Sequence, residues 1–369
     1  MRIRPAEDFR EPRAVIKVIG VGGAGGNAVN RMIQAGLHGV EFIAANTDAQ
    51  ALKGSLAEVR VQLGETLTKG LGVGGDPSRG RDSTLESEEI IREHLTGADM
   101  VFITAGMGGG TGTGGAPVVA RIAKELKALT IGVVTKPFEF EGANRASIAE
   151  TGTAEMRQNV DTLLQIPNQR LFEVIDNRTP CDEAFRRADD VLRKAIQSIS
   201  DVITVPGMIN MDLNDIRTVM KDAGEALIGM AEESGQARAL KAAKAAVESP
   251  LLENVVIDGA KGLVVNVTGR KDGLMLVEIE EAMGHIKAAA SPDAKIKLGT
   301  AYDETVGDKI RITVIATGFP LRRRKFPGHR AVDLSHSNVP PDARSLVMAS
   351  TAEELSKPAF MRLKVRKLR

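Results

Sequence analysis

The chain has 369 residues, 43% hydrophobic and 26% charged, enough for two domains with cores of their own and ordinary for a globular protein. One cysteine, Cys181, excludes an internal disulfide framework; no run of 18 apolar residues and a polar start at Met1-Arg2-Ile3-Arg4 argue against a membrane span or signal peptide and for the cytoplasm. The net charge of +1 is uneven, because residues 320–369 hold 12 Lys/Arg and 4 Asp/Glu, a net +8 that leaves residues 1–319 at −7; an acidic body does not suit nucleic acid, whereas a basic tail suits a partner or an anionic membrane surface.

Residues 14–20 read as a buried strand. The following Gly20-Val21-Gly22-Gly23-Ala24-Gly25-Gly26-Asn27 satisfies G-x-G-x-x-G between that strand and a helix predicted over 27–35 and ended by Gly36. A second strand over 41–45 runs into Asn46-Thr47-Asp48, where Asp48 would meet a ribose hydroxyl on a dinucleotide reading. Gly70-Leu71-Gly72-Val73-Gly74-Gly75-Asp76-Pro77 is another glycine-rich segment. Ser83-Thr84-Leu85-Glu86 has capping-box spacing and predicts a helix running to about His94. A strand over 100–105 leads into Gly108-Gly109-Gly110-Thr111-Gly112-Thr113-Gly114, a helix over 117–127 and a strand over 129–135. This alternation predicts a parallel sheet with helices on both faces, whose ligands sit at the carboxyl ends of the strands.

Those ends are where the glycine loops fall. A glycine run between strand and helix frees backbone N–H groups to face an anion, and the helix N-terminus adds positive potential. Thr111 and Thr113 add hydroxyls. Three such loops suit a triphosphate better than a dinucleotide, and no G-x-x-x-x-G-K-[ST] is present. The five histidines lack metal-ligand spacing.

A long helix is predicted over 182–202, with apolar coverage wide enough for it to run through the middle of the molecule, stopped by Pro206-Gly207. Asn210, Asp212 and Asp215 follow. Taken alone they read as a helix start, with Asp212 as N-cap and Asp215 in the first turn, worth about 1 kcal/mol. Beyond residue 225 come an alanine-rich helix over 236–248, strand-like runs at 261–268, 274–280, 295–300 and 309–317, and a helix near 279–290, together an α+β unit. Periodicity ends after Phe319, and residues 320–352 read as a linker.

In this order the motifs resemble the FtsZ family, the bacterial tubulin-like cell-division GTPases. The resemblance rests on the 108–114 run, Asn46-Thr47-Asp48-Ala49-Gln50-Ala51-Leu52, Thr135-Lys136-Pro137-Phe138-Glu139-Phe140-Glu141-Gly142, Ile166-Pro167-Asn168, Gly207 to Asp215, and Val314-Ile315-Ala316-Thr317-Gly318-Phe319. It covers roughly residues 14–319. It implies a Rossmann-like parallel-sheet GTPase domain joined by a long central helix to a smaller α+β domain, with a disordered C-terminal tail. The expected divisions are an N-terminal extension (1–13), a GTP-binding domain (14–181), the central helix (182–204), a catalytic loop and helix (205–224), the α+β domain (225–319), a linker (320–356) and a partner-binding peptide (357–369).

By the same resemblance, GTP or GDP would be held by Gly22, Gly23, Gly25, Gly26, Asn46, Gly74, Gly106, Gly109, Gly110, Thr111, Gly112, Thr113, Gly114, Thr135 and Pro137. Glu141 and Arg145 would lie by the ribose and phosphates. Asn27, Asn168 and Asp189 would read the guanine edge, with Phe185 stacked on the base, and Mg2+ would be bound through the phosphates and water. Asn210, Asp212 and Asp215 would enter the next subunit's site and act on water there, in a head-to-tail homopolymer that scaffolds the midcell (Z) ring at the inner face of the membrane. Lys357-Pro358-Ala359-Phe360-Met361-Arg362 resembles the peptide that docks on membrane-tethering proteins such as FtsA or SepF. The added Leu363-Lys364-Val365-Arg366-Lys367-Leu368-Arg369 departs from that pattern and suits a sheet edge or anionic lipid. Two competing readings are a nicotinamide-dependent oxidoreductase built on loop 20–25 and Asp48, and a non-catalytic tubulin-like scaffold. The first leaves loop 108–114 and the 210–215 trio unexplained, and the retained Asp212 and Asp215 argue against the second.

Overall fold

The computed structural model describes residues 14–173, 179–205, 207–252 and 259–319. The 1–13 extension, the 320–356 linker, the 357–369 peptide and the expected helix stop at Pro206 lie outside them. Elements alternate from the start: β1 (Ile16–Val21), α1 (Gly22–Gln34), β2 (Glu41–Asn46), α2 (Ala49–Lys53), β3 (Val59–Gln62), α3 (Glu65–Thr68), α4 (Pro77–Glu86), α5 (Glu88–Leu95), β4 (Met100–Gly106), α6 (Thr111–Glu125), β5 (Leu129–Lys136), α7 (Ala143–Asn159) and β6 (Thr162–Pro167). α8 (Cys181–Thr204) and α9 (Leu213–Met220) follow, then β7 (Gly224–Glu233), α10 (Arg238–Val247), β8 (Gly262–Gly269), α11 (Leu276–Ala289), β9 (Lys295–Tyr302) and β10 (Ile310–Thr317).

The strands form one sheet in the order β3-β2-β1-β4-β5-β6-β7-β10-β8-β9. The first six run parallel in the doubly wound 3-2-1-4-5-6 order. Strand periodicity divides their side chains between two cores. Val18, Phe102 and Ile131 face α1 and α8, whereas Ile19, Ile103 and Val101 join the cluster that contains Val119, Ile122 and Ala123 of α6. β6 continues into β7 through three parallel pairs, Thr162 with Gly224 to Leu164 with Ala226. β10 then lies antiparallel between β7 and β8, and β9 pairs parallel with β8. α8 buries Leu192, Ala195, Ile196, Ile199 and Val202 against residues from both halves, including Val264 and Ile315, so it is internal, as its composition predicts.

Several local expectations are corrected. Ser83 is no helix start: it lies inside α4, where its hydroxyl donates to the Arg79 carbonyl at 2.7 Å. Asp76 caps α4 by accepting from Ser78 N, and the Glu86 carboxylate accepts from Thr66 and Leu67 N. The strand-like run 274–280 is instead the start of α11. Glu278 accepts from Met275 N at 3.1 Å and pairs with Arg238 at 2.7 Å, which fixes that first turn. Its apolar Met275, Leu276 and Val277 are exposed. α1 and α6 begin at Gly22 and Thr111, five or six residues before the predicted starts, because glycine's low helix propensity makes a first helical turn read as loop.

Candidate functional site

In a 3-2-1-4-5-6 sheet the strand order reverses between β1 and β4, which opens a crevice at their carboxyl ends. Here those ends lead into α1 and α6. A Cβ on Gly22 (φ +75°) would lie 2.9 Å from Gly112 N, so the two helix N-termini meet. Neither helix has a side-chain N-cap or an acidic residue in its first turn. Two uncapped N-termini therefore point free N–H groups and partial positive charge at one place.

A cavity of about 250 Å³ lies there. Gly23, Gly106, Gly109, Gly110, Thr111, Gly112, Thr135, Pro137, Glu141, Arg145, Asn168, Phe185 and Asp189 line it, all among the residues that the resemblance names for the nucleotide. The Thr111 hydroxyl lies 2.7 Å from that of Thr47. Glu141 accepts from Phe138 N at 2.8 Å and pairs with Arg145 at 3.0 Å, so the guanidinium is held at the rim. Asn168 is buried, and its Oδ1 has no hydrogen-bond partner. Asp189 Oδ2 accepts from Arg31 Nε at 2.9 Å. Burial pushes the Asp189 carboxyl above the usual aspartate range, and Arg31 opposes that. Phe185, one turn before Asp189, stands edge-on to Phe138 with centroids 5.3 Å apart and is 38% exposed, leaving a ring face for a base. The cavity thus offers an anion cradle at one end and an aromatic face beside amide and carboxylate acceptors at the other.

The other expected residues fall elsewhere. Gly22, Gly26, Asn27 and Asn46 line an adjoining cavity of about 180 Å³, which shares Gly23 with the first. Gly25 is a packing residue: a Cβ there would sit 2.4 Å from the Thr104 carbonyl oxygen. Gly114 packs in the same way against Pro77 of α4. The Thr113 hydroxyl accepts from Gly108 N at 2.9 Å and pins the loop from behind. Gly74 lines neither cavity, although its segment packs on Gly110 through Val73. Asp48, the ribose candidate of the dinucleotide reading, is spent as the N-cap of α2, accepting from Gln50 and Ala51 N. Arg31 and Thr47 carried no expected role, since their partners Asp189 and Thr111 are remote in sequence.

Asn210, Asp212 and Asp215 do not approach the cavity. α8 runs 24 residues, and its end at Thr204 lies about 22 Å along the axis beyond Asp189 at 1.5 Å per residue. Past it, Asn210 Oδ1 accepts from Gly207 N, Asp212 caps α9 by accepting from Asp215 N, and Asp215 pairs with Lys297. The helix-start reading of the two aspartates therefore holds geometrically. A larger cavity, about 710 Å³, lies beside α8 among Arg31, Arg193, Arg311, Asp190, Asp201 and Asp303. It is lined by no glycine loop and no helix N-terminus, so the features that suit an anion are those of the smaller one.

An anion cradle at the switch point of a doubly wound sheet, with a buried amide after β6 and a carboxylate on α8 beside it, has the form of a nucleotide site. Residues 15–176 match the GTPase domain of the Tubulin/FtsZ family, and residues 224–320 match the FtsZ family C-terminal domain. The chain belongs to the FtsZ family; it is a GTPase, binding GTP and GDP. An empty FtsZ dimer from M. jannaschii is 42% identical over 85% of this chain and 90% of that one, with a TM-score of 0.81. A mutant FtsZ from M. jannaschii matches equally, covering 93% of its own length. CetZ2 from Haloferax volcanii, in a GTPγS-bound protofilament, shares the fold at 20% identity, with 84% and 95% of the two chains covered and a TM-score of 0.71. Among the described residues no helix is long and apolar enough to cross a membrane.

Proposed function

We propose that this protein polymerises head-to-tail and hydrolyses GTP at a site shared by adjacent subunits, as the scaffold of a midcell division ring. One observation carries the reading: the nucleotide cavity and the Asn210–Asp212–Asp215 loop stand toward opposite ends of α8, so one chain cannot bring them together, whereas a second copy stacked on the first would. Such a heterologous contact does not close and generates filaments. Exposed Leu71 and Phe140, in loops that pack around the cavity, and Met208, in the carboxylate loop, supply apolar surface for it. The proposed division of labour is a GTP-holding 14–181 body and a 225–319 body that carries the loop against its neighbour.

Within the shared site, Gly23, Gly109, Gly110, Thr111 and Gly112 orient the phosphates. Asn168 and Asp189 accept from the guanine edge, and Phe185 stacks on the base. Asp212 of the neighbour holds and polarises the attacking water in line with the γ-phosphate. Among the described residues no three His, Cys, Asp or Glu side chains are grouped to hold a metal. The Thr111 hydroxyl, paired with that of Thr47 beside the glycine loop, would fit a magnesium ion carried in by the phosphates, with water completing its shell. When bound, magnesium neutralises charge on the phosphates. In the cell, residues 357–369 would tie the filament to a membrane-tethering protein of the FtsA or SepF kind, with the basic residues beside anionic lipid.

The test is filament length by electron microscopy in a non-hydrolysable GTP analogue, GDP and an ATP analogue. Long filaments in the first alone support the reading. Equal lengths in the GTP analogue and GDP contradict it.

A further inference from the structure

Thr47 directly follows β2, and Thr111 is the first residue of α6. β1 stands between β2 and β4 in the sheet, so the two side chains meet across the end of β1. Glycine at position 22 leaves room for this, since a Cβ there would stand only 3.4 Å from Thr111 Cβ. The two hydroxyls lie 2.7 Å apart. Thr47 is wholly buried and lines neither small cavity, whereas Thr111 lines the one with the glycine loop.

The backbone around Thr47 is held on several sides. Its carbonyl accepts from Gly72 N at 3.2 Å and from the Thr68 hydroxyl at 3.3 Å. On either side of it, Leu63 N donates to the Asn46 carbonyl at 2.8 Å and Ala49 N to the Gly70 carbonyl at 3.1 Å. The Thr47 side chain is thereby aimed at α6.

A hydroxyl carries one proton and two lone pairs. Among the described residues the Thr47 hydroxyl has one hydrogen-bond partner, that of Thr111. Were Thr111 the donor, the Thr47 proton would be buried without an acceptor, at the full cost of its desolvation. The favoured direction therefore runs from Thr47 to Thr111. It occupies one lone pair of Thr111 and leaves the Thr111 proton for the cavity, beside the free N–H groups of the two helix N-termini. A hydroxyl that accepts one hydrogen bond donates the next more strongly.

We propose that Thr47 is a positioning residue of the nucleotide site: its buried hydroxyl donates to that of Thr111 and so turns the Thr111 proton toward a phosphate oxygen. This rests on the reading of the cavity at Gly109–Gly112 as the phosphate site. Thr47 touches no phosphate and acts through Thr111.

The test is the dissociation constant for GTP and GDP, read by competition against a fluorescent guanine nucleotide at protein concentrations too low for pelleting. The variants are Thr47→Val, Thr47→Ala, Thr47→Ser, Thr111→Val and the double variant Thr47→Val with Thr111→Val. Val keeps the side-chain volume and Ala removes it, so a loss shared by both belongs to the hydroxyl, and Ala carries the comparison if Val does not fold. Both should weaken the two nucleotides about three- to tenfold, while Ser stays within about twofold. Thr111→Val should weaken them at least as much as Thr47→Val. The double variant should match Thr111→Val within about twofold, because without the Thr111 hydroxyl Thr47 has nothing to act through. Wild-type affinity in Thr47→Val and Thr47→Ala, with Thr111→Val weakened, overturns the proposal and leaves the phosphate site standing. Losses that add in the double variant overturn it as well, since they would mark Thr47 as a packing residue, and so does a Ser variant no tighter than Val. Wild-type affinity in Thr111→Val contradicts the phosphate-site reading itself, and the proposal falls with it.

Discussion

Neighbouring glycines in the first loop do opposite work. Gly23 has nothing within 4 Å of where a Cβ would stand and lines the cavity, whereas at Gly25 that atom would sit 2.4 Å from the Thr104 oxygen and 2.9 Å from Gly20 C. Gly25→Ala therefore wedges α1 away from β4 and should lower stability by about 1–3 kcal/mol, seen as a fall in melting temperature without nucleotide. Gly23→Ala should leave that melting temperature within a degree or two and weaken GTP binding instead. Matching melting losses for both would contradict the assignment. The sequence showed that this run was built for phosphates, because five glycines in seven residues exceed what a turn needs. It did not separate packing glycines from ligand-facing ones, since that depends on which backbone lies opposite. The same limit hid Arg31 and Lys297: their partners stand 158 and 82 positions away, and a local pattern carries no trace of such pairs.

At the level of elements, strands with unbroken apolar runs and the long α8 were legible, because burial on both faces leaves a strong signal. The 274–280 run misled for the same reason: apolar residues at the exposed start of α11 imitate a buried strand. α8 also carries a pH-dependent element. Asp201 lines the large cavity beside Asp303, Arg311 and Arg193. Burial, with a smaller push from Asp303 against the pull of Gln197 and the two arginines, raises its carboxyl to about 6. The folded state thus binds this proton more tightly than the unfolded chain, whose value is near 3.8. Between those values the folded state holds more protons, so stability from this group is full at low pH and is lost as pH rises through about 6. Asp201→Asn should raise stability at pH 8 by about 1–2 kcal/mol, allowing for solvent screening. The gain should be clearly smaller at pH 5. Paired thermal melts at the two pH values check this, and an equal gain at both would show that charge is not the cause.

For the whole molecule, the fold explains why the cavity and the carboxylate loop are separated. The parallel half builds its nucleotide cavity at the carboxyl ends of β1 and β4. β9 of the other half fixes the carboxylate loop through Lys297 and Thr300. α8 joins the two and keeps them about a helix length apart. On the proposed reading, assembly and hydrolysis are one event, because neither end would have the chemistry alone. The most direct measurement is phosphate release and pelleting together, with GTP and magnesium, across protein concentrations, for wild type and Asp212→Ala. The account predicts that turnover per molecule appears only above the threshold where wild type pellets, and that Asp212→Ala still pellets but hydrolyses at least tenfold more slowly, a loss of about 1.4 kcal/mol or more in transition-state stabilisation. Turnover per molecule independent of concentration would mean a site complete within one chain, and would contradict the shared site.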